Sequence, residues 1–322
     1  ARRAPSKIQP FSGIPDVLDF NRDIQPILDR HCTSCHNFEK HAGHVSLEGD
    51  LSHTFSHSFY ALFANLQVAD GRNGLGNQPP RSIGSAASRL MNKIGGKHHD
   101  VGVSEKEWRT VWMWIESGAP YVGSYAGLRS EATRMYAQPG IVFGGGRDVL
   151  KRRCAECHTI DNPQDEKGMA LPFAPEMKRN DRGLNRPTAT HERVVIPNDP
   201  LARFSSNVLL NLTRPAKSPL ILGPLASDPG GWESCGAVFE STEDPDYRKL
   251  LSLIQNCKER INQEPRYATP AFKPNRQYVR EMKKYGILPA SFDLARDEID
   301  IFATDQAYWE SHWYAPNTRA EQ

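Results

Sequence analysis

Two copies of one short pattern stand in this chain, Cys32-Thr33-Ser34-Cys35-His36 and Cys154-Ala155-Glu156-Cys157-His158. Each copy asks two sulfurs about one helical turn apart, and the imidazole behind them, to meet a single object. C-x-x-C-H is the attachment sequence of c-type haem. The two thiols add to the two vinyl groups along one porphyrin edge, and the His is delivered to the iron as an axial ligand. With six Cys and eleven His among 322 residues, chance supplies about 0.004 such matches. The expected cofactors are therefore two covalently bound haem c, one on Cys32, Cys35 and His36 and one on Cys154, Cys157 and His158. A zinc site made of the four cysteines would leave both His unexplained. A thioredoxin-like pair requires a strand and a βαβ setting that neither copy has.

The approaches to the two motifs match. With Cys32 set over Cys154, Ile27-Leu28-Asp29-Arg30-His31 lies over Val149-Leu150-Lys151-Arg152-Arg153, in each case an apolar pair followed by polar and basic residues. Phe20, Ile24, Ile27, Leu28 and His31 recur at helical spacing, and Pro26 fits the first turn of a helix that begins near Ile24. Further on, Ser104 and Glu107 form a capping box ahead of Trp108, Val111, Trp112 and Ile115, with Gly118 and Pro120 as the stop. Each short helix is expected to bring its Cys pair to a haem edge, and the capped helix to close the first haem core.

Every haem iron needs a second axial ligand or keeps an open position. For the first haem the candidates sit in Met91-Asn92-Lys93-Ile94-Gly95-Gly96-Lys97-His98-His99-Asp100. His98 and His99 lead, Met91 is the alternative, and both histidines could also be plain solvated loop residues. For the second haem His191 is favoured over His312, Met169, Met177 and Met282. His41, His44, His53 and His57 have spacings that could gather a further metal, although loop histidines are usually surface residues. Cys257 falls on the apolar face of a helix starting at Asp244-Pro245. It is either a buried thiol or the disulfide partner of Cys235, a bond that an oxidising compartment would favour.

The remaining features mostly exclude. The chain carries 40 Lys+Arg against 38 Asp+Glu, so it has no electrostatic footprint for nucleic acid. No apolar run reaches the ~18–20 residues of a membrane span, and mean hydropathy is −0.60. No leader-like segment opens the sequence, so a secretion signal would have been removed or lain upstream. Gly144-Gly145-Gly146 lacks dinucleotide-loop spacing and reads as a hinge, and no nucleophile-elbow pattern occurs. Strand signals are limited to Val194-Val195-Ile196 and Leu220-Ile221-Leu222. The expected fold is mainly α: two cytochrome c-like haem domains, 1–122 and 123–322, with long loops, little β and a helical C-terminal extension.

Further phrases resemble a family. Phe20-Asn21-Arg22-Asp23-Ile24-Gln25-Pro26-Ile27-Leu28 and Trp114-Ile115-Glu116-Ser117-Gly118-Ala119-Pro120 resemble planctomycete-type cytochrome c domains. Asp244-Pro245-Asp246-Tyr247, Arg280 to Pro289 and Tyr308-Trp309-Glu310-Ser311 resemble the di-haem C-terminal half of proteins related to the hydrazine synthase alpha subunit. That resemblance implies two haem-c domains, normally behind a β-propeller, one of them with a Tyr iron ligand just after the motif. Here Lys40 stands four residues past His36 and the first Tyr is Tyr60. What carries over is the family's second, bis-His haem and its electron-transfer role. The expected function is a di-haem electron-transfer module in an extracytoplasmic compartment, serving a redox partner protein or an attached catalytic subunit. The alternative is an oxidoreductase with one open haem acting on a small inorganic substrate, peroxide or a nitrogen species.

Overall fold

The first described helix opens on a carboxylate. Asp19 accepts from the backbone N–H groups of Asn21 and Arg22, opening a π-helical turn, Phe20–Ile24, that runs straight into α1, Gln25–His31. Pro26 lies in the first turn of α1, where a missing N–H costs nothing. The computed structural model describes residues 11–69, 77–127, 139–155, 206–263, 267, 269 and 272–312. Cys157, His158, His191, Met169, Met177 and Val194–Ile196 lie outside the described residues.

After α1 come α2 (His57–Ala64), α3 (Gly84–Ala87), α4 (Arg89–Ile94) and α5 (Glu105–Glu116). The capping box of α5 forms as expected, with Ser104 and Glu107 each bonding the other's backbone. Its buried stripe, however, is Val111, Trp114 and Ile115, whereas Trp108 is 37% exposed. Trp112 is only partly buried and pairs with Trp108 at the rim of the helix. Trp114 meets Phe20, Phe59 and Phe63 with ring centroids 5.5–6.4 Å apart, and its indole N–H donates to the Pro120 carbonyl at 2.8 Å. This aromatic cluster is the middle of a first core drawn from Leu18 to Tyr121.

A second core runs from Val142 to Cys257. It is built by α6 (Pro139–Gly145), α7 (Arg147–Arg153), α8 (Ser206–Leu209), α9 (Pro219–Leu222) and α10 (Pro245–Asn262). Leu220–Leu222 is therefore a helical turn and not a strand. Ser218 precedes it and Pro219 occupies the first position, so the chain is preset for helix there. The Gly144–Gly146 run makes the break between α6 and α7. A Cβ on Gly145 would stand 2.9 Å from Leu253, and one on Gly146 would stand 2.7 Å from the Val142 carbonyl. These glycines let α6 and α7 lie close to α10.

A third, smaller core gathers Ala126 with Tyr278, Val279 and Met282 of α11 (Arg276–Lys284) and with Phe292, α12 (Ile301–Glu310) packing beside it. Strand pairing among the described residues is limited to four isolated bridges. None of the described helices is long and apolar enough to cross a membrane.

The two halves are bonded together. The Leu212 N–H donates to the Leu51 carbonyl at 2.8 Å, and Arg214 reaches both Glu48 and Asp50 at 2.7–2.8 Å. His57, far from being a surface loop residue, is buried here and bonds the Leu210 carbonyl at 3.1 Å; His53 is buried as well. Burial pushes the His57 imidazole down to about 4 from its usual 6.5, against the pull of Asp50 and the Leu210 carbonyl. The folded chain thus keeps His57 neutral while the unfolded chain protonates below 6.5. Stability is expected to fall between pH 6.5 and 4 by up to about 3 kcal/mol from this residue alone. Denaturant titrations of His57→Gln should show a flatter pH profile across that window.

Candidate functional site

The two motif cysteines occupy the same structural position. Cys32 caps α1 and Cys154 caps α7, both helices are seven residues long, and both caps have φ −124°. The Cys32 N–H donates to Leu28 at 2.8 Å and the Cys154 N–H donates to Leu150 at 3.0 Å. In each helix the apolar pair aligned in the sequence is buried: Ile27 and Leu28, Val149 and Leu150. Burial pushes both thiols up to about 11, so each is held protonated beside an apolar core.

The basic residues before each Cys have matching roles too. Arg30 and His31 converge on Glu107 in the first turn of α5, at 2.7 and 3.2 Å. Arg152 and Arg153 converge on Asp246 at the start of α10, at 2.7 and 2.8 Å. Burial opposes ionisation of Glu107, but bonds from Ser104, Arg30 and His31 outweigh it and bring the carboxyl down to about 2. Each half therefore docks a short Cys-bearing helix on the acidic N-terminus of a long closing helix. The internal repeat displayed the basic pairs. Their acidic anchors lie some 75 to 95 residues away, beyond any local pattern.

The chain after Cys32 keeps turning. The Cys35 and His36 N–H groups both donate to the Cys32 carbonyl, at 3.2 and 2.9 Å. His36 Nδ1 bonds the Ala42 carbonyl at 2.8 Å. A carbonyl can only accept, so Nδ1 carries the proton and Nε2 is left as a lone-pair donor. Metal-ligating histidines are commonly oriented in this way.

Opposite His36 stands His98. The two rings are nearly parallel, at 21°, with centroids 5.8 Å apart. That separation lies within the roughly 4.5–7 Å range of offset-stacked rings. It would also suit two imidazoles sharing one metal, for which two metal–nitrogen bonds of about 2.0 Å plus the ring radii give roughly 6.3 Å. The loop is held by a bridge between Gly95 and Gly102, and Lys93 of α4 is near enough to Cys32 to act on its thiol. His99 is exposed, turned 71° from the His98 ring. Met91 is buried in the first core, against which Cys32 also packs, and Met282 is buried in the third.

Among the described residues, no group of three or more His, Cys, Asp and Glu is arranged to hold a metal ion. His41 and His44 accordingly gather no metal with His53 and His57. Two imidazoles are too few to hold a bare ion and would need a cofactor that supplies the remaining ligands. At the second motif, Cys154 is described and its partners Cys157 and His158 are not. His312 lies exposed at the end of α12 among Tyr285, Tyr308 and Trp309. Cys257 is wholly buried in the second core and Cys235 is exposed, and no disulfide joins them. Instead, the Cys235 sulfur is near enough to Cys154 to raise its thiol pKa.

Comparison with family models, with curated proteins and with solved structures gave no match.

Proposed function

We propose that this chain is a di-haem c-type cytochrome module that transfers electrons. Cys32, Cys35 and His36 would hold one haem and Cys154, Cys157 and His158 the other, with His98 as the distal ligand of the first. The observation that carries the reading is the pair of parallel imidazoles, His36 and His98, one of them with its tautomer set by the Ala42 carbonyl. Once bound, such a group supplies reversible one-electron iron chemistry.

The chain's own residues then decide how that chemistry is used. His36 presents Nε2 because its Nδ1 proton is committed to a carbonyl. With a haem held at His36, His98 would fill the position a substrate needs, so the first site would favour passing electrons over binding a small molecule. Two imidazole ligands set a low potential, and a Met in place of one would raise it. Cys32 and Cys154 are half-buried against the two apolar cores, whereas Cys35 is exposed. The repeated helix-to-cysteine geometry supports one haem per half. Thioether attachment fits an extracytoplasmic, oxidising compartment and a redox partner protein or attached catalytic subunit. The likeness of the motif flanks to planctomycete-type cytochrome c domains, and of the C-terminal phrases to hydrazine synthase alpha-related proteins, supports the same reading.

The test is spectroscopic. Oxidised holoprotein should show a low-spin bis-imidazole signal for the first haem, and the reduced first site should resist carbon monoxide. A first haem that is high-spin and binds carbon monoxide at once would replace carrier with catalyst.

A further inference from the structure

The loop Asn37–His44 carries the carbonyl that orients His36, and it is poorly built to stand alone. His41 and His44 have φ of +44° and +57°, the left-handed region that residues with a Cβ avoid at a cost of about 1 kcal/mol or more each. Part of its support comes from a residue 194 positions beyond Phe38 in the chain. The Trp232 indole stacks on the His41 ring at 3.6 Å and 15°, and its Nε1–H donates to the Phe38 carbonyl at 2.8 Å. One side chain thus grips the loop at two points, four and one residues before Ala42.

Trp232 is itself fixed by the second half. Its backbone N–H donates to Leu222 at the end of α9 at 2.8 Å, and the next residue, Glu233, donates to Leu225 at 3.0 Å. Three residues on is Cys235, whose N–H donates to Gly223 at 3.3 Å and whose sulfur is near Cys154. A four-residue segment therefore touches the loop behind one motif and the surroundings of the other.

We infer that Trp232 is a positioning residue for the first haem site, supplied by the second half of the chain, which holds the Phe38–Ala42 loop so that His36 faces His98. This rests on the di-haem reading above. It also makes the coordination at one site depend on the packing around the other.

The test compares Trp232→Ala, Trp232→Phe and His41→Ala with wild-type holoprotein. Read out are haem content, the low-spin electron paramagnetic resonance signal, reduction potentials and carbon monoxide uptake. Loss of a partner that orients a metal ligand typically costs 10–100-fold in metal affinity. Trp232 acts one step further out, so Trp232→Ala should take up carbon monoxide about tenfold more readily at the first haem and broaden its low-spin signal. Haem content should stay at the wild-type value. Trp232→Phe keeps a ring on His41 without the N–H donor and should fall between the two. His41→Ala, which leaves the second half untouched, should move the same signals and stands in if Trp232→Ala does not fold. Wild-type signal, potential and carbon monoxide uptake in all folded variants would overturn the inference while leaving the di-haem reading intact. Wild-type protein without haem would overturn that reading instead.

Discussion

Replacing His98 with alanine is expected to convert the first haem from low-spin to high-spin and to open it to carbon monoxide and cyanide, while His99→Ala leaves both properties unchanged. The two residues are neighbours in a polar loop, and the sequence offers them equally. The fold separates them. His98 is half-buried and nearly parallel to His36, whereas His99 is exposed on backbone with φ +48° and meets the His98 ring edge-on at 71°. An exchange of the two results, with His99→Ala opening the iron, would move the distal ligand by one residue. No spectral change in either variant would remove the loop from the site altogether.

Trp114→Ala should be the most damaging single truncation in the first core. The side chain is completely buried, touches three aromatic rings, and its N–H is bonded to Pro120. Large-to-small changes of this kind cost about 3–5 kcal/mol, from lost transfer energy and the cavity left behind. The orphaned Pro120 carbonyl adds to that loss. Chemical denaturation of the variant should show the shift, with Trp108→Ala, truncating an exposed indole, as a near-neutral control. A loss from Trp108→Ala as large as that from Trp114→Ala would mean that the face carrying Trp108 and Trp112 also packs in the core.

That pair of tryptophans illustrates what the sequence could and could not reveal. The capping box fixed where α5 begins, because Ser104 and Glu107 act within four residues of each other. The phase of the stripe was less secure. At about 100° per residue, Trp108 and Trp112 adjoin the Val111–Ile115 arc and Trp114 lies on its other flank, so both assignments contain Val111 and Ile115. Only packing against Phe20, Phe59 and Phe63 separates them, and those contacts are long-range. Likewise the matched approaches to Cys32 and Cys154 were visible as a repeat. Glu107 and Asp246, which receive the basic pairs, and Trp232, which braces the His41 loop, were not. Leu220–Leu222 carried a strand-like composition that Ser218 and Pro219 override.

Intact mass of purified, denatured protein from a host able to mature c-type cytochromes addresses the whole account most directly. The mass should exceed the 36.1 kDa polypeptide by two haem groups, and the denatured material should remain coloured. A colourless chain at the bare polypeptide mass would contradict the account.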